Sequence, residues 1–171
     1  MLNNFMNSTD WANVTEFKDW WMNSGRPFLP PFYKSIHTTD IAYAVCLYRK
    51  DRFQVELYIC KPNTESPPHA HPGIHSISMY LTGDLQFAKD GTFVNLSQYQ
   101  HPGKFGEHML LGKTADVNYG TSHALRIGNV GGAFLIFEHW LDQDPVSVTV
   151  HWEGETVGEI HNQTIKNSYV E

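Results

Sequence analysis

The chain has 171 residues and a formal charge of −6 at pH 7, with 41% hydrophobic residues. That length suits one domain with a sizeable core. There is no Lys/Arg cluster for phosphate contacts, so nucleic-acid binding is not expected. No apolar run approaches the ~20 residues of a membrane span, so no membrane association is expected.

The opening Met1-Leu-Asn-Asn-Phe is not a basic segment followed by an apolar one. A secretory signal is therefore not expected, and a cytoplasmic location is. The two cysteines, Cys46 and Cys60, sit in apolar runs. They read as small buried core residues in a reducing compartment, with a cross-strand disulfide as the alternative.

The first segment reads as a helix. Ser8 or Thr9 can cap it, Asp10 suits its first turn, and Trp11, Val14, Phe17 and Trp21 recur at helical spacing. Gly25 and Pro27 stop it. The aromatic stripe is a packing face, either for the main domain or for a partner subunit. Residues 26–38 form a Pro-rich connector, so that 1–38 precedes the main domain.

From residue 39 the pattern changes to strands. Residues 41–48 and 52–60 are β-rich runs joined by a turn at 49–52. In the second run Phe53, Val55, Leu57 and Ile59 face one way and Gln54, Glu56 and Tyr58 the other, as in a half-buried antiparallel strand. Residues 61–68 read as a loop, and 67–85 as an extended run carrying histidines. Thr82-Gly83-Asp84 reads as a turn. Residues 85–89 and 92–96 form a hairpin around Asp90-Gly91. An irregular connection over 97–108 precedes short strands at 109–112 and 115–118. A turn at 119–122 leads into a strand at 123–127. A second turn at 128–132 leads into a strongly apolar strand at 133–141, and 146–152 is the last clear strand. Short strands punctuated by Gly and Pro make this an all-β antiparallel sandwich or barrel over 39–153, with a polar tail over 154–171.

The run P-P-H-A-H-P-G-I-H places His69, His71 and His75 at odd positions. If the segment is extended throughout, the three imidazoles share one face. Imidazole is the commonest protein ligand for first-row metals. His123 follows the later turn Tyr119-Gly120-Thr121-Ser122. Converging ligands from two strands inside a barrel leave coordination positions open, as a catalytic metal requires. No cysteine is near these motifs.

Pro68-His69-Ala70-His71-Pro72-Gly73-Ile74-His75, with Gly83 downstream, resembles the first motif of the cupin superfamily. His75 stands at the motif's Glu position. Gly120-Thr121-Ser122-His123 resembles the second motif. Asn118 stands where the second motif usually has Pro, Asn129 arrives late for its Asn, and Asn63 stands where a Gly is frequent. The combination is similar to small single-domain cupins with four histidine ligands. The resemblance implies a cupin-like antiparallel β-barrel (jelly roll) with a short N-terminal helix. It also implies a divalent metal, Fe, Mn, Ni, Cu or Zn, held by His69, His71, His75 and His123. His75 is alternatively a supporting group beside a three-histidine site. A homodimer is implied as well.

Four neutral histidines leave the full charge of a divalent ion, which favours an anionic or enolisable chelating substrate. Three functions follow. The first is an oxidoreductase of the dioxygenase type, similar in its ligands to the cupin dioxygenases for thiols and diketones. The second is a non-enzymatic ligand-binding or structural subunit of a larger assembly. The third is an isomerase or lyase using the metal as Lewis acid.

Among the other histidines, His37, His101, His108 and His161 read as solvated and His151 as lying on a sheet face. In Phe137-Glu138-His139-Trp140 either Glu138 or His139 can point into the barrel, but not both, because neighbours on a strand alternate. Ile77, Met79 and Leu81 continue the His75 face, and Leu125 and Ile127 continue that of His123, which predicts an apolar cavity. Tyr43, Tyr48, Tyr58 and Arg126 are candidates to orient a substrate.

Overall fold

The structure is a computed structural model that describes residues 11–24, 36–89, 91–96, 114–141, 146–150 and 156–162. The residues proposed as helix cap, Ser8 and Thr9, lie outside these, as do residues 97–112.

One helix precedes the sheet: α1, Val14–Asn23. Its N-cap is Asn13, whose side chain accepts the Glu16 N–H at 3.0 Å, while the Glu16 carboxylate accepts the Ala12 N–H at 2.9 Å. These reciprocal bonds satisfy donors that the first turn would leave orphaned. The helix therefore starts later than the aromatic spacing predicted, and Trp11 lies before it. Trp11 still packs against Phe17 and Phe53, with ring centroids 4.8 and 5.4 Å away.

Among the described residues ten strands follow: β1 Ile36–Thr38, β2 Ala42–Lys50, β3 Phe53–Cys60, β4 Thr64–Ala70, β5 Ile74–Lys89, β6 Thr92–Asn95, β7 Thr114–Val117, β8 His123–Trp140, β9 Val146–Val150 and β10 Thr156–Asn162. All pairings are antiparallel, in the order β1-β2-β3-β8-β4-β9-β10, with β5 pairing β6, β7 and β8. The segment 154–171 thus contributes β10, which pairs with β9.

The long strands β5 and β8 organise the molecule. They lie side by side along nearly their whole length, Ile74 opposite Trp140 at one end and Lys89 opposite His123 at the other. The C-terminal half of β8 pairs with β3, and its N-terminal half pairs with β4. All the strands belong to one continuous sheet, and register shifts at Tyr80/Thr82 and Gly83/Leu85 mark where β5 and β8 bend. Gly83 has φ +100°, and a Cβ there would sit 2.2 Å from Gly132 Cα and 2.3 Å from the Gly131 carbonyl oxygen. Only glycine lets the two backbones meet at this corner. The segments 82–84 and 128–132, expected as turns, are therefore bends within continuous strands.

The α1 side of the sheet carries Val45, Leu47, Phe53, Val55, Ile77, Met79, Leu135 and Phe137, which bury Val14, Phe17 and Trp21 beneath them. The aromatic stripe is a packing face for the chain's own sheet. Cys46 and Cys60 are buried thiols with no disulfide between them. Burial raises the Cys60 pKa to about 12.

The segment predicted as a half-buried strand, β3, is buried on both faces over 53–56, with Phe53 and Val55 under α1 and Gln54 and Glu56 1% and 0% exposed on the other side, whereas Ile59 is 47% exposed. On the Gln54 face Tyr58 lines a cavity, and Gln54 donates to Glu138, which lines it as well.

Candidate metal centre and its cavity

Three of the four proposed ligands come together. His69, near the end of β4, lies opposite His123, the first residue of β8. His71 follows in the turn between β4 and β5. One ligand nitrogen from each of the three lies within 4.8 Å of the other two. The ring centroids are 4.3 to 5.2 Å apart.

Local structure explains the placement. Pro67 and Pro68 lack the N–H a ladder needs, and the β4–β8 register shifts between Ser66 and His69. The Ser66 hydroxyl stands in for a ladder acceptor, taking the Leu125 N–H at 2.9 Å. Upstream, Asn63 has φ +55°, a left-handed conformation that Asn tolerates. It occupies the position where the motif has Gly. The His71 carbonyl accepts the N–H of both Ile74 and Gly120, which ties the His71 turn to the turn preceding His123.

The protonation pattern suits a metal. The His69 Nδ1–H donates to the Pro67 carbonyl at 2.7 Å, and the His123 Nδ1–H donates to the Thr121 carbonyl at 3.0 Å. A carbonyl can only accept, so each ring is the tautomer that keeps the Nε2 lone pair for a ligand. Burial, with the His69 charge next in size, lowers the His123 pKa to about 3, so this imidazole is neutral at physiological pH. Neutral nitrogen donors with the opposite ring nitrogen anchored are what Fe, Mn, Ni, Cu or Zn takes from histidine. The residues present fit the metal that the motif implies.

The structure does not bring His75 to this group. The expectation that 69, 71 and 75 share a face assumed one continuous strand. Residues 71–73 instead form a turn between β4 and β5, and the turn resets the alternation. On β5 the even positions Ile74, Ser76, Ser78 and Tyr80 line the cavity. The odd positions Ile77 and Met79 pack under α1. His75 belongs to this odd set. Its Nε2 is 2.7 Å from Asp116 Oδ1, and its ring meets that of Tyr119.

The cavity behind the triad has a volume of about 100 Å³. Its wall is mostly apolar, as expected, but the β5 residues that line it are not the ones expected. Ser66, Ser76, Ser78, Tyr58, Tyr80 and Glu138 line it together with Leu125, Phe134 and Ile136. The serines of β5 were missed because the wrong face was assigned inward. Their regular spacing in S-I-S-M-Y was the available signal.

Glu138 rather than His139 points inward. Its Oε2 accepts from Gln54 Nε2 at 2.5 Å and from Trp140 Nε1 at 3.0 Å. Burial raises its pKa, against the opposing effects of Trp140, Gln54 and Arg49. His139 lies on the opposite face, stacked on Phe53 at 4.4 Å and bonded through Nδ1 to the Tyr119 hydroxyl at 3.0 Å. Burial, Arg52 and His75 lower its pKa.

Of the residues proposed to orient a substrate, Tyr58 lines the cavity. Burial, then the Glu56 charge, push its hydroxyl pKa well up. Tyr43 is exposed, Tyr48 packs on Phe17 and Trp20, and Arg126 pairs with Glu65 at 2.8 Å on the surface.

No protein-family model matches the sequence, and no curated protein matches it either. Solved structures do match. An RmlC-like cupin from Shewanella frigidimarina is 15% identical, with a TM-score of 0.49 over 63% of this chain and 85% of that chain. KdgF from a Halomonas species is 11% identical, with a TM-score of 0.53 over 68% of this chain and 94% of that one. The chain has the cupin fold. The DMSP lyase DddQ from Ruegeria pomeroyi is also similar, at 18% identity and a TM-score of 0.51, over 70% of this chain and 62% of that one. These likenesses concern the cupin barrel itself. A cupin barrel carries many activities, so function has to be argued from the site.

Proposed function

We propose that this cupin is a metal-dependent oxidoreductase of the dioxygenase type acting on a small anionic or enolisable substrate. The observation that carries the reading is the triad His69, His71 and His123, with ligand nitrogens within 4.8 Å of one another at a cavity of about 100 Å³. When bound there, a divalent redox metal would supply charge stabilisation and a place for substrate and dioxygen to meet. The chain's own residues do the rest. Pro67 and Thr121 hold two ring tautomers, Phe134 and Leu125 give the cavity apolar walls, and Ser76, Ser78 and Tyr58 offer hydrogen bonds to a polar substrate. Among the described residues no carboxylate joins the triad, so the ion would keep its full charge.

A second reading, a metal-dependent lyase or isomerase, is favoured by one observation: Glu138 gives the cavity an ionisable wall. The likeness to a lyase of the same fold agrees with it. Oxygen consumption by iron-loaded protein across thiols, diketones and phenols tests the first reading, with His123→Ala as control. Turnover that is unchanged without oxygen would move the assignment to the second. No turnover with any metal would leave a non-enzymatic binding or assembly subunit, for which native mass, with Trp20→Ala as probe, tests a homodimer.

A further inference from the structure

We infer that Glu138 is a catalytic residue of this site, the acid–base group that takes a proton from a small enolisable substrate and returns it. The inference rests on the proposed metal-dependent reading of the same cavity.

Three features of its surroundings argue for this role. Glu138 lies on β8 between Gln54 of β3 and Ser76 of β5, its register partners, and all three side chains are buried. Both hydrogen-bond donors act on one oxygen: Gln54 Nε2 and Trp140 Nε1 each reach Oε2. Neither engages Oε1, while the residue lines the cavity. The second oxygen is left for a bound molecule.

A purely structural explanation is weaker. A glutamine at 138 could accept the same two N–H groups without the cost of burying an ionisable carboxyl. What the carboxyl adds is the ability to bind and release a proton. Two donors on Oε2 fix the rotamer and leave Oε1 as the exchanging atom, which is the positioning a general base requires. Burial raises the proton affinity of the group, which brings it nearer the range where acid–base catalysis is efficient.

In the step proposed, a C–H bond next to a substrate carbonyl breaks. The proton forms an O–H bond at Glu138 Oε1, and the electron pair stays on the substrate, delocalised onto its carbonyl oxygen. The proton then returns from Oε1 to the product, so no oxidant or other reactant is consumed.

The test uses full-length protein loaded with zinc and pyruvate as probe. Exchange of the methyl hydrogens in D₂O is followed by proton NMR. Wild type should accelerate the exchange, Glu138→Gln should lower the rate about 100-fold or more, and Glu138→Asp should restore part of it. The acidic limb of the pH profile should vanish in Glu138→Gln. The groups facing Glu138 are Arg49 from β2, Gln54, Glu56 and Tyr58 from β3, Ser76 from β5 and Trp140 on its own strand. Of these, Arg49, Glu56 and Tyr58 remain titratable in the variant, so the lost limb reports position 138. Zinc binding, measured by calorimetry, separates the two claims. If zinc binds but exchange is absent, or is equal in wild type and Glu138→Gln, the role of Glu138 is overturned and the metal site stands. If wild type binds no zinc, the metal-dependent reading falls and takes this role with it.

Discussion

The sharpest prediction contrasts His123→Ala with His75→Ala. Both residues belong to the motifs, yet only His123 lies within 4.8 Å of the other ligand nitrogens, while His75 turns to Asp116. At a free zinc concentration 100 times the wild-type Kd, binding stabilises the folded state by about 2.7 kcal/mol. Loss of a ligand that weakens affinity 100-fold leaves the ion at its Kd and a gain of only about 0.4 kcal/mol. His123→Ala should therefore lose most of the zinc-dependent stabilisation. His75→Ala should keep it, losing only the bond to Asp116, whose side chain is 62% exposed and which is worth about 1 kcal/mol or less. Urea unfolding with and without zinc, at fixed protein concentration, measures both. Equal loss of the zinc effect in the two variants would refute the outward placement of His75.

Phe17→Ala should cost about 3–5 kcal/mol in urea unfolding, because the ring is fully buried against Phe53 and Phe137. A loss below about 1 kcal/mol would mean that α1 does not dock on the sheet. Gly83→Ala combines a positive φ with a backbone collision and should cost about 3–5 kcal/mol by the same assay. Glu138 holds its proton more tightly in the folded state. Wild type should therefore lose stability relative to Glu138→Gln as pH rises from the ordinary 4.5 through the raised value, and show no such loss below 4.5. A stability difference independent of pH would count against a raised pKa. Cys60, its thiol pKa at about 12, should resist alkylation in native protein and react only after unfolding, as read by mass spectrometry.

The motif segments show where local sequence stops being informative. The spacing H-x-H and the turn before His123 located three residues that the fold brings together. Periodicity then placed His75 beside them, because it carried one strand's alternation through Pro72 and Gly73. A turn of three residues is invisible to a period-two count, and it put the even positions from Ile74 to Tyr80 on the cavity face. The serines and Tyr80 were hidden by the same slip, while on β8 the alternation left Glu138 and His139 as alternatives. Gln54 and Glu56 looked solvent-facing because polarity usually marks an outer face, whereas both are buried and Gln54 donates to Glu138 on the neighbouring strand. The two glycine segments read as turns because Gly signals a change of direction without saying whether the strand ends or bends.

The sequence by itself determined the all-β class, the helix ahead of it, the pairing of β5 with β6 and three of the histidines that come together. These follow from side-chain alternation, from turn chemistry and from the coordination preference of imidazole. Only the tertiary structure decided which face of β5 looks inward, that β5 and β8 run through the corner at Gly83 and Gly132, and that Glu138 rather than His139 meets the cavity. Each of these depends on register between strands far apart in the chain. Register is set by the pairing of whole strands and by close backbone contact, which no local window of residues contains.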